Sequence, residues 1–498
     1  MQSILWASRM LTRRAAIATA LTPFLTAQPK SVGRWDLFDL TLDGPRDGNP
    51  FLDVQLSAEF RHRQRTIQVD GFYDGSGSYK VRFSPDTVGE WTYTTRSNRR
   101  ELDARTGTLL CTAPGAQNHG PVGVRNVHHF GYADGTPYFP FGTTCYAWTH
   151  QPDALQQQTL ATLRTAPFNK MRMCVFPKWY TYNRDEPRLH PFARPDDRTR
   201  FDPEFWRNLE SRIQQLLVLG IQADLILFHP YDHWGYALMG AEADERYLRY
   251  AVARLAAYRN VWWSVANEWD LVKGKTPADW DRYFEILKSA DPYGRLRSIH
   301  HSRVLYDHGK PWVTHVSIQG DDFQKTPEWL ETWRKPVIFD ECKYEGNIPQ
   351  RWGDISAQEM TRRFWLGMTS GAYVGHGETY LDAHDVLWWS KGGVLHGESP
   401  ARIAFLRRII ESGPAEGLAP LANAYYPCAA KPGDFYLYYL DYHQAAQANF
   451  DLPAATRFTA DVIDPWAMTI TQAGEYSGKF TMKLPGRPYL AVRFRKAA

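Results

Sequence analysis

Val261-Trp-Trp-Ser-Val-Ala-Asn-Glu-Trp-Asp270 is an apolar run, rich in Val and Trp, that stops abruptly in polar residues. A near-continuous apolar stretch of this kind reads as a strand buried on both faces, as in parallel sheets covered by helices. Glu268 lies just past its carboxyl end, where the chain leaves the core and faces a cavity. Lys335-Pro-Val-Ile-Phe-Asp-Glu341 has the same grammar, a short apolar run ending in Asp340-Glu341. These two strand-end glutamates are the main chemical signal in the chain.

Strand–helix alternation surrounds both segments. Residues 138–148, 170–176 and 221–228 read as strands one to three and 261–266 as strand four. Residues 297–301, 312–318, 336–339 and 371–376 read as strands five to eight. Helices fall between them. Asp202-Pro203 places a cap before a first-turn proline, and Trp206, Leu209, Ile213, Leu216 and Leu217 follow at a 3.6-residue period. Thr276/Asp279 and Ser356/Glu359 have capping-box spacing, and Ser399-Pro400 opens the last helix. Eight such units over about 290 residues fit an α/β fold, a (β/α)8 TIM barrel with loop insertions. A doubly wound open sheet is the alternative, and no Gly-rich phosphate loop favours it.

The flanks are different. Period-two alternation in 35–42, 53–60, 78–83 and 89–95, with a further strand and turn at 68–75 and turns such as Gly48-Asn49-Pro50, predicts an N-terminal β-sandwich of five strands. It would bind carbohydrate or, more simply, brace its neighbour. Short strands at 435–440, 458–463, 479–484 and 489–494 predict a small C-terminal β-sandwich. The expected division is a signal segment at 1–30, the N-terminal sandwich at 31–115, the barrel at 116–415 and the C-terminal sandwich at 416–498. Thr12-Arg13-Arg14 followed by Ala15–Ala27 resembles a twin-arginine export signal and is too short to span a membrane. A periplasmic or secreted protein is therefore expected.

Among 498 residues a net charge of +4 is mild, and no basic stripe accompanies a nucleic-acid module, so nucleic acid is not an expected partner. Of the 19 Trp, about a third are expected to line a cleft as flat platforms for sugar rings. The five cysteines are scattered without zinc or CxxC spacing and read as buried thiols. No cofactor is implied.

Two carboxyl groups across one barrel mouth are what glycosidic bond cleavage requires, one to protonate the leaving oxygen and one to attack the anomeric carbon or activate water. Asn267 fits a contact to a substrate 2-hydroxyl. Ala266-Asn267-Glu268, with a Glu ending strand seven, resembles the retaining glycoside hydrolase clan whose acid/base and nucleophile lie on strands four and seven. Asn169-Lys-Met-Arg172 resembles that clan's strand-two motif, whose Arg holds the nucleophile. Lys335–Asn347 with Gly371–Glu378 resembles the apiosidase-like branch, whose members often carry flanking β-domains. The resemblance implies Glu268 as acid/base, Glu341 as nucleophile and Arg172 as the cation keeping Glu341 ionised. Glu345, four residues on, is a rival nucleophile, and Cys342 a lesser one.

The other strand ends add sugar-contact candidates: His150, His229 and His301 after strands one, three and five, Gln319 or His315 from strand six, and Trp388 after strand eight. Tyr231, Trp234 and Trp179 are further cleft candidates. The expectation is a retaining, exo-acting glycosidase on oligosaccharide or polysaccharide, with no bound metal. Its rivals are a non-catalytic carbohydrate-binding protein on a degenerate barrel and a metal-assisted hydrolase using the three histidines.

Overall fold

The structure, a computed structural model, describes residues 30–497. The expected export signal lies outside these residues, save Lys30. Eight parallel strands form a nearly closed barrel: Phe141–Thr144, Lys170–Cys174, Gln222–Phe228, Val261–Ala266, Arg297–Ser298, Val316–Gln319, Val337–Glu341 and Tyr373–His376, here strands one to eight. Neighbours pair in sequence order, and strand one closes on strand eight. Between strands five and six Thr314 bridges the gap: its N–H donates to the Arg297 carbonyl (2.9 Å) and its Oγ1 accepts from the Arg297 N–H (2.7 Å).

Strand four is buried at every position, as its unbroken apolar run requires. The helix Pro203–Val218 starts where Asp202 accepts the Glu204 N–H (2.9 Å), and Pro277–Ala290 carries the Thr276/Asp279 box. At Ala357–Thr369 only half of the expected box forms. Ser356 Oγ accepts the Glu359 N–H, while the Glu359 carboxylate turns outward to Arg362 and Arg363.

One unit departs from the expected eightfold alternation. The segment from Ser298 to Val316 contains no helix. It holds four His, with Gly309 and Pro311 in its middle, and lacks an apolar stripe, so it is fixed by side chains instead. Asp270 accepts the N–H groups of Ser302, Arg303 and Val304 at 2.7–3.0 Å, and Lys310 pairs with Asp281 at 2.6 Å.

The N-terminal region forms a seven-stranded sheet, two more strands than the sequence shows, because Lys30–Gly33 and Thr106–Thr112 also pair. Phe60 stacks on Phe83 in its core, with ring centroids 3.9 Å apart. The C-terminal region has a six-stranded sheet facing a two-stranded one, around Tyr438, Phe450 and Phe494.

Buried ion pairs join these regions to the barrel. Arg82 of the N-terminal sheet bonds Glu210 of a barrel helix (Nη2–Oε2, 3.0 Å), which also receives Arg254, and Arg254 reaches Asp74 of the sheet at 2.9 Å. At the other end Arg362 grips Asp441 through two nitrogens. These pairs hold the flanking regions against the barrel. Removing one member of a buried charge network leaves its partners unneutralised and costs about 3–5 kcal/mol. Glu210→Ala is therefore expected to destabilise the protein by that order in a urea or thermal melt, whereas truncating the exposed Glu242, paired with Arg246 on the barrel surface, should change little.

Candidate active site

Strand alternation sorts the acidic residues at the barrel mouth. Asp340 turns into the barrel, Glu341 toward the opening. Inside, Lys170 Nζ contacts Asp340 (2.7 Å) and Asp224 (2.5 Å), and Arg172 Nη1 lies 3.1 Å from Asp340 Oδ2. Burial alone would raise the Asp340 carboxyl, but Lys170 and Arg172 hold it well below the usual range. This ionic layer is the floor beneath a cavity of about 340 Å3.

Glu268 and Glu341 both line that cavity, together with Asn267 and Gln319. Glu268 sits in the left-handed region (φ 51°), so the chain turns sharply as strand four ends. Its carboxylate accepts from the Tyr231 hydroxyl and from Asn267 Nδ2 (3.2 Å). The Gln319 amide nitrogen donates to Glu268 Oε1 (3.3 Å) and to the His301 carbonyl (2.8 Å). Asn267 is itself fixed, its Oδ1 accepting from Arg172 Nη2 (2.9 Å) and the Tyr146 hydroxyl (3.2 Å).

Several sequence expectations are corrected. Arg172 holds Asp340 and Asn267; it makes no ion pair with Glu341. Loss of hydration pushes the Glu341 carboxyl up to about 8, against the opposing hydrogen bond from the Tyr344 hydroxyl. Glu341 is thus not kept ionised by an arginine. His150 and His229 are buried behind the wall, bonded to the carbonyls of Val175 (3.0 Å) and Phe176 (3.1 Å), and neither lines the cavity. His301 offers its carbonyl, not its ring. His315 is buried with Nδ1 on Thr314. Trp388 donates to Thr143 Oγ1 (2.8 Å) in the core, and its neighbour Trp389 faces the cavity instead. Of the tryptophans among the described residues only Trp352 and Trp389 line the cavity, far short of a third, while Trp179 and Trp234 do not. The aromatic surface comes mainly from Tyr146, Tyr180, Tyr231 and Tyr344.

The rival residues lie elsewhere. Glu345 is buried outside the cavity, accepting the Tyr380 hydroxyl (2.9 Å) and the N–H groups of Glu398 and Ser399 (2.9 and 3.2 Å). It gathers with His376 and Glu378, their ligand atoms within 4.8 Å of one another. Glu378 in turn accepts the His396 and Gly397 N–H groups (2.6 and 2.8 Å), so both carboxylates clamp the loop before the last helix. Burial pushes the Cys342 thiol up to about 12, and all five cysteines are buried and unpaired. His150, His229 and His301 do not form a ligand group among the described residues. A larger groove, about 820 Å3, runs between the N-terminal sheet and a barrel helix but contains neither strand-end glutamate.

Sequence reasoning missed Lys178, which lines the cavity from the loop after strand two. Its signal was present: a lone lysine between Phe176-Pro177 and Trp179-Tyr180, an aromatic setting for a charge.

A barrel with two glutamates on one cavity is the architecture of a glycoside hydrolase, and the comparisons agree. The family model described as "Apiosidase-like, catalytic domain" matches residues 125–415, and the chain belongs to this family. Two further models, each described as a domain of unknown function (DUF5060 and DUF5605), match residues 31–98 and 425–495. A putative glycoside hydrolase from Bacteroides vulgatus ATCC 8482 is 41% identical, with TM-score 0.89, over 94% of this chain and 100% of that one. A family 5 glycoside hydrolase from the same organism shares the fold at 17% identity, TM-score 0.61, over 76% and 93% of the two chains. No curated protein matches. The family and the 41% identical structure make the chain a glycosidase whose substrate is a glycan. Among the described residues no helix is long and apolar enough to cross a membrane.

Proposed function

We propose that the chain is an exported, exo-acting retaining glycosidase on a (β/α)8 barrel. The observation that carries this is the meeting of Glu268 and Glu341, from separate strands, on one cavity beside Asn267. Glu268 protonates the leaving oxygen and later deprotonates water; Glu341 attacks the anomeric carbon and forms the glycosyl-enzyme. Asn267, held by Arg172 and Tyr146, is positioned for the sugar 2-hydroxyl. The cavity is at the small end of the range for ligand sites, about 300–1,000 Å3, which supports binding of a chain end. Glu341→Ala tests the assignment: turnover should vanish, and azide should restore it with a product of inverted anomeric configuration, read by NMR. Activity like that of the unaltered enzyme would overturn it.

The double displacement needs one proton between the two carboxyls, for the leaving oxygen. In the empty cavity burial holds a proton on Glu341. For turnover the proton must move to Glu268 as the sugar enters. In the free enzyme Glu341 loses its proton near pH 8, so kcat/KM should fall on the alkaline side with an apparent pKa of about 8. An alkaline limb near pH 5 would show that burial does not retain the proton.

Export is the reading of the twin-arginine segment. Replacing Arg13 and Arg14 by Lys should leave the protein in the cytoplasmic fraction of a host with that export pathway.

A further inference from the structure

Lys178 is 4% exposed, yet among the described residues no carboxylate pairs with it. Its ammonium lies over rings instead: 3.9 Å from the Tyr146 centroid, 4.4 Å from Tyr231 and 4.9 Å from Trp389. The backbone beneath it is pinned, since the Lys178 carbonyl accepts from Asn183 Nδ2 and the Trp179 N–H donates to the Tyr231 carbonyl (2.8 Å). The amine is therefore presented to the cavity by a fixed loop.

The charges around it do not cancel. Glu268 is the carboxylate whose charge reaches Lys178, but it makes no direct contact with it and both its oxygens are occupied by Tyr231, Asn267 and Gln319. Glu341 retains its proton at neutral pH. Asp321, at the rim, is matched by Arg363 at 3.0 Å. Lys343, exposed on the opposite lip after strand seven, has no ion-pair partner among the described residues. Two cations thus face a cavity with one carboxylate free of a cationic partner. Burying an ammonium without an anion in direct contact is costly, and burial here pushes the Lys178 amine down to about 8 against the pull of the nearby Glu268. A ligand that supplies the missing anion recovers that cost.

We infer that the sugar bound in this cavity carries an anionic substituent, a carboxylate or a sulfate ester, that seats against Lys178. The inference rests on the glycosidase reading for the identity of the ligand as a sugar, but not on any catalytic step. The aromatic rings around the ammonium then do two tasks, excluding water from the ion pair and stacking on the ring that bears the anion.

The test is titration calorimetry on the full chain with D-glucuronate, D-galacturonate, glucose 6-sulfate and galactose 6-sulfate against D-glucose and D-galactose. Acidic sugars should bind at least about 10-fold more tightly than neutral ones, as expected for a desolvated charge pair. The uronate and sulfate arms separate the two anions. Lys178→Met should abolish the preference and Lys178→Arg retain it. The Met variant should melt no lower than the unaltered protein, because an apolar side chain replaces a buried charge. Equal affinities, absent binding of every acidic sugar, or a preference that survives Lys178→Met would each overturn the inference. Nitrophenyl glycosides and glycuronides separate it from the catalytic reading. Cleavage of neutral glycosides without acidic preference would sink only the anion site. Acid-selective binding without hydrolysis of any glycoside would sink only the catalyst.

Discussion

Glu341→Gln is expected to lower kcat by ~10^4-fold or more and, at the same time, to make the protein harder to melt. The first effect follows from the role: an amide cannot form the glycosyl ester, and catalytic units fail almost completely when one member is removed. The second follows from the environment. Burial raises the Glu341 carboxyl from 4.5 to about 8 in the folded protein. Below pH 4.5 both folded and unfolded chains hold the proton, and the group is neutral to stability. Between pH 4.5 and 8 the unfolded chain releases it while the folded chain keeps it, so stability declines as pH rises through that window. The amide that replaces the carboxyl has no proton to lose. The variant and the unaltered protein should therefore melt together near pH 4. The variant should pull ahead by about 2 kcal/mol at pH 7.5, a figure reduced for the partial exposure of the residue. Parallel melting curves across that range would mean that Glu341 is solvated and ionised, and the cavity would not be the dry site its position implies.

Much of this site was readable because strand four and strand seven obey simple rules. An unbroken apolar run has no amphipathic option and must be buried on both faces, so Glu268 and Glu341 had to emerge at its end. Side-chain direction at a strand end is harder. Arg172 lies beside Asp224 in the register of strands two and three, with its guanidinium inside the barrel. Asp340, one residue before Glu341, claims it there. A one-residue change of register reverses a side chain, and that is why the sequence alone pairs the arginine with the wrong acid. His150 and His229 failed for a related reason. Each ring turned to a carbonyl just past the end of strand two, a neighbouring strand, because a buried imidazole without a partner would be costly. The cavity walls were the least legible part. Tyr146, Lys178, Tyr344, Trp352 and Trp389 come from loops after strands one, two, seven and eight, and their convergence depends on packing between loops that no local period encodes. The missing helix between strands five and six had the same cause in reverse, since a lattice of hydrogen bonds to Asp270 and Asp281 replaced an apolar stripe.

Glu268→Ala should divide substrates by their leaving groups. General acid catalysis contributes about 10^2–10^4-fold, and only where the departing oxygen needs a proton. Dinitrophenyl glycosides leave without one, so formation of the glycosyl-enzyme should be little slowed, whereas alkyl glycosides and natural glycans should lose that full factor. Hydrolysis of the intermediate needs Glu268 again as base, so the variant should show a burst of dinitrophenolate followed by a slow steady state. Azide, which needs no deprotonation, should speed the second step and give a glycosyl azide of retained configuration, the opposite outcome to that for Glu341→Ala. The backbone gives the variant a fair trial: Ala at φ 51° is no more strained than Glu, and Tyr231 and Gln319 lose an acceptor that the azide ion can replace. If activated and unactivated glycosides lost activity by the same factor, Glu268 would be serving both steps by charge alone. The three hydrogen bonds it accepts would then mark it as the permanent carboxylate of the pair, with Glu341 as the proton donor.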